Sequence, residues 1–382
     1  MSEPKFMLTN EQRKYVGLDP LERHWEPIQM RDSYYYFDGD IIKRAITLDE
    51  KQYQEYELYE QTAENKTIVL PKTKRGKPKK FNHTATRSFS LSGMYFSFGY
   101  GYAQIVNYTT QTNYYLEKLK KKQGLESLNE WLTGWMADST EADLVELHAF
   151  KTAKRVHQQY KEGDIFAFKY GRRQYGFGKI LIDVVKRRKT EEFKKNKNYG
   201  LDRIGTPLVV KVYHKISDEM VVDIDEMERG LAMPSYMVMD NNIYYGEYKI
   251  IGNRPVTCRD LDGGPIEGGP KNILSDKGSA FLQFGLIYRE MSRDEYDRYK
   301  DREWYQKRFG SGGVGFSLNL NNLEQCIATQ SNDSYYREIG YDMRDPANKK
   351  SKNEIFEAFG LDGDKDYAAN MALAEKVKKY QP

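Results

Sequence analysis

The residues able to do chemistry in this sequence are scattered rather than gathered. Its five histidines, His24, His83, His148, His157 and His214, include no H-E-x-x-H pair and no two at the spacing of metal ligands. His148 and His157 are expected to share one helix, where nine residues make about two and a half turns and set them on opposite faces. Cys258 and Cys326 lie far apart, neither has a histidine nearby in sequence, and no G-x-S-x-G is present. Asp223 and Asp225 have the spacing of a dyad on one side of a strand, but surface carboxylates on a loop explain them as well. Gly310 to Gly315 fits G-x-G-x-x-G, yet it follows a charged helix and precedes the strand-like Phe316 to Leu320, the reverse of a dinucleotide loop. Asp362, Asp364 and Asp366 open like a calcium loop, but Tyr367 stands where that loop needs glycine, so a turn and helix cap is expected. No catalytic residue, no metal site and no cofactor is expected.

The most specific stretch runs from Gly163 to Leu181, where aromatic residues alternate with small or basic ones. Residues 164–170 and 175–185 read as two strands of a hairpin joined by the turn Gly171 to Gln174. Gly176 and Gly178 fall inside the second strand, where glycine weakens pairing unless a bulge or a close backbone approach requires it. A tightly curved small barrel with glycines at its corners accounts for this pattern. So does a partner surface built from Tyr175, Phe177 and the Arg172–Arg173 turn, because Tyr, Phe and Arg are enriched at interface centres.

The elements around this hairpin define an α+β chain. A β-rich N-terminal unit (1–125) is expected from strands at 33–37, 67–70, 93–102 and 103–108, with the basic run 72–80 as a solvated hairpin loop or, less favoured, a phosphate contact. A helical connector (126–160) follows. Leu125, Leu128, Trp131, Leu132, Trp135 and Met136 form an apolar stripe, and Asp138 with Glu141 resembles a capping pair for a second helix. A β-rich domain (161–320) adds strands at 208–214, 236–239, 248–251 and 280–288, with an irregular loop at the two Gly-Gly-Pro triplets, 263–265 and 268–270. Ser292 caps a polar helix to about Arg308, and a helical C-terminal tail (321–382) holds helices opening at Asp345-Pro346 and near Tyr367.

With 382 residues, 31 Tyr and 17 Phe, the chain can fill more than one core and is far from a disordered composition. No stretch approaches the roughly 20 apolar residues that cross a bilayer, and residues 1–18 lack the apolar run of a secretion signal, so a cytoplasmic protein with two reduced thiols is expected. The net charge of +4 hides an imbalance: residues 151–200 carry 15 Lys and Arg against 5 Asp and Glu.

The blocks G-D-I-F-A-F and Y-G-F-G-K-I-L, followed some 65 residues later by Y-G-E-Y-K-I-I-G-N-R-P from Tyr245, resemble the bacterial polymorphic-toxin immunity protein 26 family over residues 160–290. The resemblance implies a mostly-β domain, encoded beside a toxin and neutralising that cognate toxin by binding, without enzymatic activity. On that reading Phe166, Phe168, Arg172, Arg173, Tyr175, Phe177 and Tyr245 are the partner-binding candidates, and Gly163, Gly176, Gly178 and Gly246 are structural. The alternative is a nucleic-acid-binding protein whose basic segment 151–200, including Lys186 to Lys189, Lys194, Lys195 and Lys197, tracks phosphates.

Overall fold

The computed structural model describes residues 6–120, 124–195, 200–271, 278–305, 309–310, 313–339 and 341–378. They form two compact units: Met1–His157 with Tyr245–Glu247, and Gln158–Tyr244 with Tyr248–Pro382.

In the first unit the strands are β1 (Glu26–Met30), β2 (Ser33–Asp38), β3 (Ile41–Leu48), β4 (Gln52–Ala63), the short β5 (Ile68–Val69) and β6 (Lys79–Lys80), β7 (Met94–Gly99), β8 (Tyr102–Asn107) and β9 (Thr112–Lys118). They pair antiparallel in the order β1-β2-β3-β4-β7-β8-β9, with β5 and β6 continuing from β4. The basic run 72–80 is largely the loop of this β5–β6 hairpin, as its composition implied. One sheet face carries Tyr36, Ile46, Tyr53, Phe96, Phe98 and Ile105. Helices Leu128–Asp138 and Glu141–Thr152 bury Leu128, Leu132, Trp135 and Leu147 against it. The cap of the second helix is Thr140 with Asp143, not Asp138 with Glu141, because the preceding helix continues through Asp138.

Within this core Glu55 is fully buried and accepts hydrogen bonds from Arg13 Nε (2.8 Å), Arg44 Nη1 (2.7 Å) and the Tyr53 hydroxyl. Burial, then the Glu55 charge, push the Tyr53 hydroxyl far above its ordinary pKa, so it remains a donor. The carboxylate ties the first helix (Asn10–Tyr15) to β3 and β4.

The second unit opens with β10 (Asp164–Tyr170), β11 (Gln174–Asp183), β12 (Pro207–Ser217), β13 (Tyr236–Met239) and β14 (Lys249–Asn253), an antiparallel sheet in the order β13-β12-β11-β10-β14. The expected hairpin is present, with Ile165 opposite Lys179 and Tyr170 opposite Gln174. A three-stranded sheet follows, β15 (Ile266–Lys271), β16 (Ser279–Phe284) and β17 (Ile287–Ser292). Helices Lys349–Ala358 and Tyr367–Lys378 pack on it through Ile355, Phe356, Tyr367 and Ala374, in one core with Leu181, Ile182 and Trp304.

Several expectations are corrected here. The second Gly-Gly-Pro triplet is not an irregular loop but the middle of β15. Along its length that strand pairs with β16, and among the described residues its other edge carries an isolated bridge from Gly268 to Phe309, so Pro270 costs no ladder bond to a second strand, and Gly268 leaves room for the Phe309 ring, whose Cζ would lie 2.5 Å from an added Cβ. The run 280–288 is two strands, broken where Gly285 takes φ +54. The helix after Ser292 ends early: Tyr296 and Trp304 turn back into one core cluster, with rings 5.9 Å apart. Phe316 to Leu320 forms no strand, and two helices not foreseen, Leu323–Thr329 and Asp333–Ile339, place Leu323, Cys326 and Tyr335 in the core behind the five-stranded sheet. Asp366 caps the final helix by accepting from Ala369 N, the turn-and-cap role expected of that acidic run.

Replacing Glu55 by Gln would leave the buried Arg13 guanidinium without its counter-charge and Arg44 with Glu57 alone, at 3.5 Å. Chemical denaturation should show a loss of about 3 kcal/mol, and an unchanged midpoint and slope would refute this account of the first core.

Candidate functional site

The hairpin's aromatic pattern is explained by packing across the strands. Phe166 lies opposite Gly178 and Phe168 opposite Gly176. Each ring covers the facing glycine: a Cβ on Gly178 would sit 2.4 Å from Phe166 Cζ, and one on Gly176 would sit 2.3 Å from Phe168 Cζ. The β11–β12 register also shifts between Gly176 and Gly178, so both a close approach and an irregular ladder are present. Gly163 takes φ +87, and an added Cβ would lie 2.4 Å from Arg254 O. Gly246, with φ +70, also takes the left-handed conformation.

The candidate partner residues divide sharply. Phe166, Phe168 and Phe177 are core, the first two on the face toward Tyr236 and Leu323, Phe177 on the other face with Ile165, Tyr213 and Met227. These rings already bury their area within the domain, so none is on the surface where a partner ring would stack. Tyr175 is half-buried against that second cluster, with Lys169 Nζ 5.9 Å from its ring centre. Arg173 is exposed and Arg172 partly so, in the turn whose Arg172 carbonyl accepts from Lys169 Nζ at 2.8 Å. Tyr245 is grouped with the first unit, where Arg155 lies 5.7 Å and His157 6.0 Å from its ring. Sequence therefore located the hairpin but did not separate its buried from its accessible residues, because alternation alone does not reveal that both faces of β10 and β11 are covered.

The second face holds a charged network that sequence reading missed. Lys179 and Lys211 stand directly opposite one another on β11 and β12. Asp260 bridges them, Oδ2 accepting from Lys179 Nζ at 3.1 Å and Oδ1 from Lys211 Nζ at 2.6 Å. Lys179 also donates to Glu228 Oε1 (2.5 Å) and Pro255 O (3.2 Å), and the Tyr213 hydroxyl donates to Glu228 Oε1 at 3.3 Å. Thr257 fixes Asp260 through its backbone N–H (2.8 Å) and hydroxyl (3.0 Å). Burial alone would raise the Asp260 pKa; the Lys211 hydrogen bond, the Thr257 N–H and the two lysine charges outweigh it and hold the group at about 2. Burial lowers the Lys211 pKa against the opposing Asp260 bond, and burial followed by the Glu228 charge raises that of Tyr213. Only Tyr213 and the two lysines come from the sheet; Glu228 belongs to helix Ile224–Arg229 and Asp260 to helix Cys258–Asp262.

Beside this network a cleft of about 380 Å³ opens along β12, lined by His214, Lys215, Val221, Asp223, Glu226 and Leu231 among others. Two of its lining residues, His214 and Leu231, are joined by a backbone bond from His214 N to Leu231 O (2.9 Å). Burial lowers the His214 pKa despite its bond to Asn332 Oδ1 at 2.9 Å. Asp223 and Asp225 are not a dyad: Asp223 caps helix Ile224–Arg229 and Asp225 pairs with Arg254. His148 lies in helix Glu141–Thr152 and His157 beyond its end, so they share no helix. Among the described residues no group of three or more His, Cys, Asp and Glu side chains is placed to hold a metal ion, and no helix is long and apolar enough to cross a membrane.

The basic segment is heavily committed within the molecule. Arg187 grips Glu162 through Nε (3.1 Å) and Nη2 (2.8 Å), Lys186 pairs with Asp183, Lys194 with Glu191 and Lys151 with Asp19. Arg188 donates to the carbonyls of Arg203 and Gly205. Residues 184–195 form two short helices, Val184–Arg188 and Glu191–Lys195; Lys197 and the side chain of Lys195 lie outside the described residues.

The second unit thus combines an antiparallel sheet with helices packed on both faces, a neutralised charge network and an open surface cleft. Residues 161–268 match the model of a known family, Immunity protein 26, so this part of the chain is similar to that family. The match covers the hairpin, the network and the cleft. No curated protein matches the chain.

Two measurements check the site. Asp260→Asn should cost about 3 kcal/mol at neutral pH by leaving two opposed lysines unbridged. The parent's Asp260 contribution is present above the ordinary carboxylate pKa near 3.8 and lost as pH falls toward about 2, so the variant's stability should vary less across that window. Phe177→Ala should lower stability by about 3 to 5 kcal/mol in a thermal or denaturant melt; a parent-like melt would show that the ring is not core.

Proposed function

We propose that this chain is an immunity protein, a non-enzymatic antitoxin acting in the cytoplasm that neutralises a cognate bacterial toxin by binding it directly. The match of residues 161–268 to Immunity protein 26 carries this reading. The accessible part of the hairpin, Arg172, Arg173 and Tyr175, supplies a contact beside the cleft, since Tyr175 lies opposite Ser217 on β12 and Gln174 donates to Asp218 at 2.9 Å. Phosphate tracking by the basic segment has less support, because Lys151, Lys186, Arg187 and Lys194 already pair with carboxylates.

Co-expression of the chain with the toxin encoded beside its gene should restore growth, and growth arrest equal to toxin alone would reject the reading. Arg172→Glu with Arg173→Glu should slow association more than it speeds dissociation, as rim charges mainly steer encounter. A surface-plasmon measurement in which only the off-rate changes would place the turn inside the contact instead.

A further inference from the structure

Residues 218–235 connect β12 to β13, and the alternation within 218–231 is informative. Met220, Val222, Ile224 and Met227 turn inward onto the cluster around Phe177. Val221, between two inward residues, is 82% exposed, and Leu231 is 46% exposed, and both line the cleft. Internal packing therefore does not account for either side chain, and exposed apolar groups flanking a concavity are what a partner's anchor residue meets.

The charge around them is mainly acidic: Asp223 and Glu226 line the cleft with Lys215, and Asp218 and Glu219 lie in the same segment. Of the acids in this segment, Asp225 pairs with Arg254 and Glu228 with Lys179. Asp218, Glu219, Asp223 and Glu226 make no ion pair among the described residues, and all four are exposed. Asp218 only accepts from the Gln174 amide, and Asp223 from the backbone of Glu226. Lys215 is the one basic residue lining the cleft. The basic excess legible in sequence is thus not what this concavity presents.

We propose that the cleft along β12 is the docking site for a protein surface bearing an apolar side chain flanked by lysine or arginine. This deepens the antitoxin reading and rests on it: the toxin presents a basic patch to the cleft and acidic groups to the neighbouring Arg172–Arg173 turn, its apolar residue seats between Val221 and Leu231, and the unpaired carboxylates receive the flanking cations.

The probe is the protein encoded beside this chain's gene, carrying a substitution that abolishes its toxicity, titrated calorimetrically into the full chain. Val221→Asp and the double variant Glu219→Lys with Glu226→Lys should each raise Kd about tenfold or more with thermal melts unchanged, and parental affinity should fall as salt is raised. Tight parental binding that neither variant nor salt weakens overturns the cleft while leaving the antitoxin reading in place. Absence of any binding by the parent overturns both. Since Val221 is almost wholly exposed, Val221→Asp keeps the test decisive should the charge reversal disturb the helix that Asp223 caps.

Discussion

The second unit depends on one arrangement that a sheet would ordinarily reject, two lysines directly opposite one another on neighbouring strands, Lys179 buried and Lys211 largely so. Like charges at such a position repel, and each ammonium also loses its hydration. Asp260 resolves both problems by giving one carboxylate oxygen to each lysine, and Glu228 supplies the second negative charge. The requirement propagates outward. Helix Cys258–Asp262 has to dock where its carboxylate reaches the sheet, Thr257 has to hold that carboxylate, and helix Ile224–Arg229 has to lie across β12. Helix Ile224–Arg229 in turn supplies Glu226 and Met227 to the lining of the cleft.

Much of the local architecture was legible because the side-chain period and the turn residues were unambiguous. The hairpin from Asp164 to Asp183, the strand at Tyr236–Met239 and the final helix beginning at Tyr367 fall close to where alternation, glycine and capping place them. Misreadings came where tertiary contacts override local preference. Gly268, Gly269 and Pro270 read as a breaker in isolation, yet an edge strand tolerates the missing N–H, and the absent Cβ admits Phe309. The polar residues after Ser292 read as one long helix, but Tyr296 and Trp304 gain more by meeting in the core than by continuing along a helix surface.

The candidate site was only half legible for a related reason. A strand covered on both faces shows the same aromatic and glycine alternation whether its rings face a neighbouring element or a partner. Phe166 and Phe168 cover glycines within the sheet, and Phe177 is sealed by residues 220–232, so the richest aromatic stretch of the sequence is interior. The lysine–carboxylate network draws its members from positions 179, 211, 228 and 260, a separation no local motif could reveal.

Formal charge proved a poor guide to the surface because charge is counted along the chain but expressed only where it is unpaired. In residues 151–200 Arg187, Lys186 and Lys194 pair with the segment's own Glu162, Asp183 and Glu191, Lys151 pairs with Asp19, and main-chain carbonyls hold Arg188, contacts that order the fold and fix where the remaining positive charge lies. The next segment carries the opposite sign with fewer internal partners, and it borders a concavity with two exposed apolar residues. A partner diffusing toward the second unit responds to the residual field rather than to the composition. The acidic wall beside β12 is therefore a better guide to what binds there than the basic run that dominates the sequence.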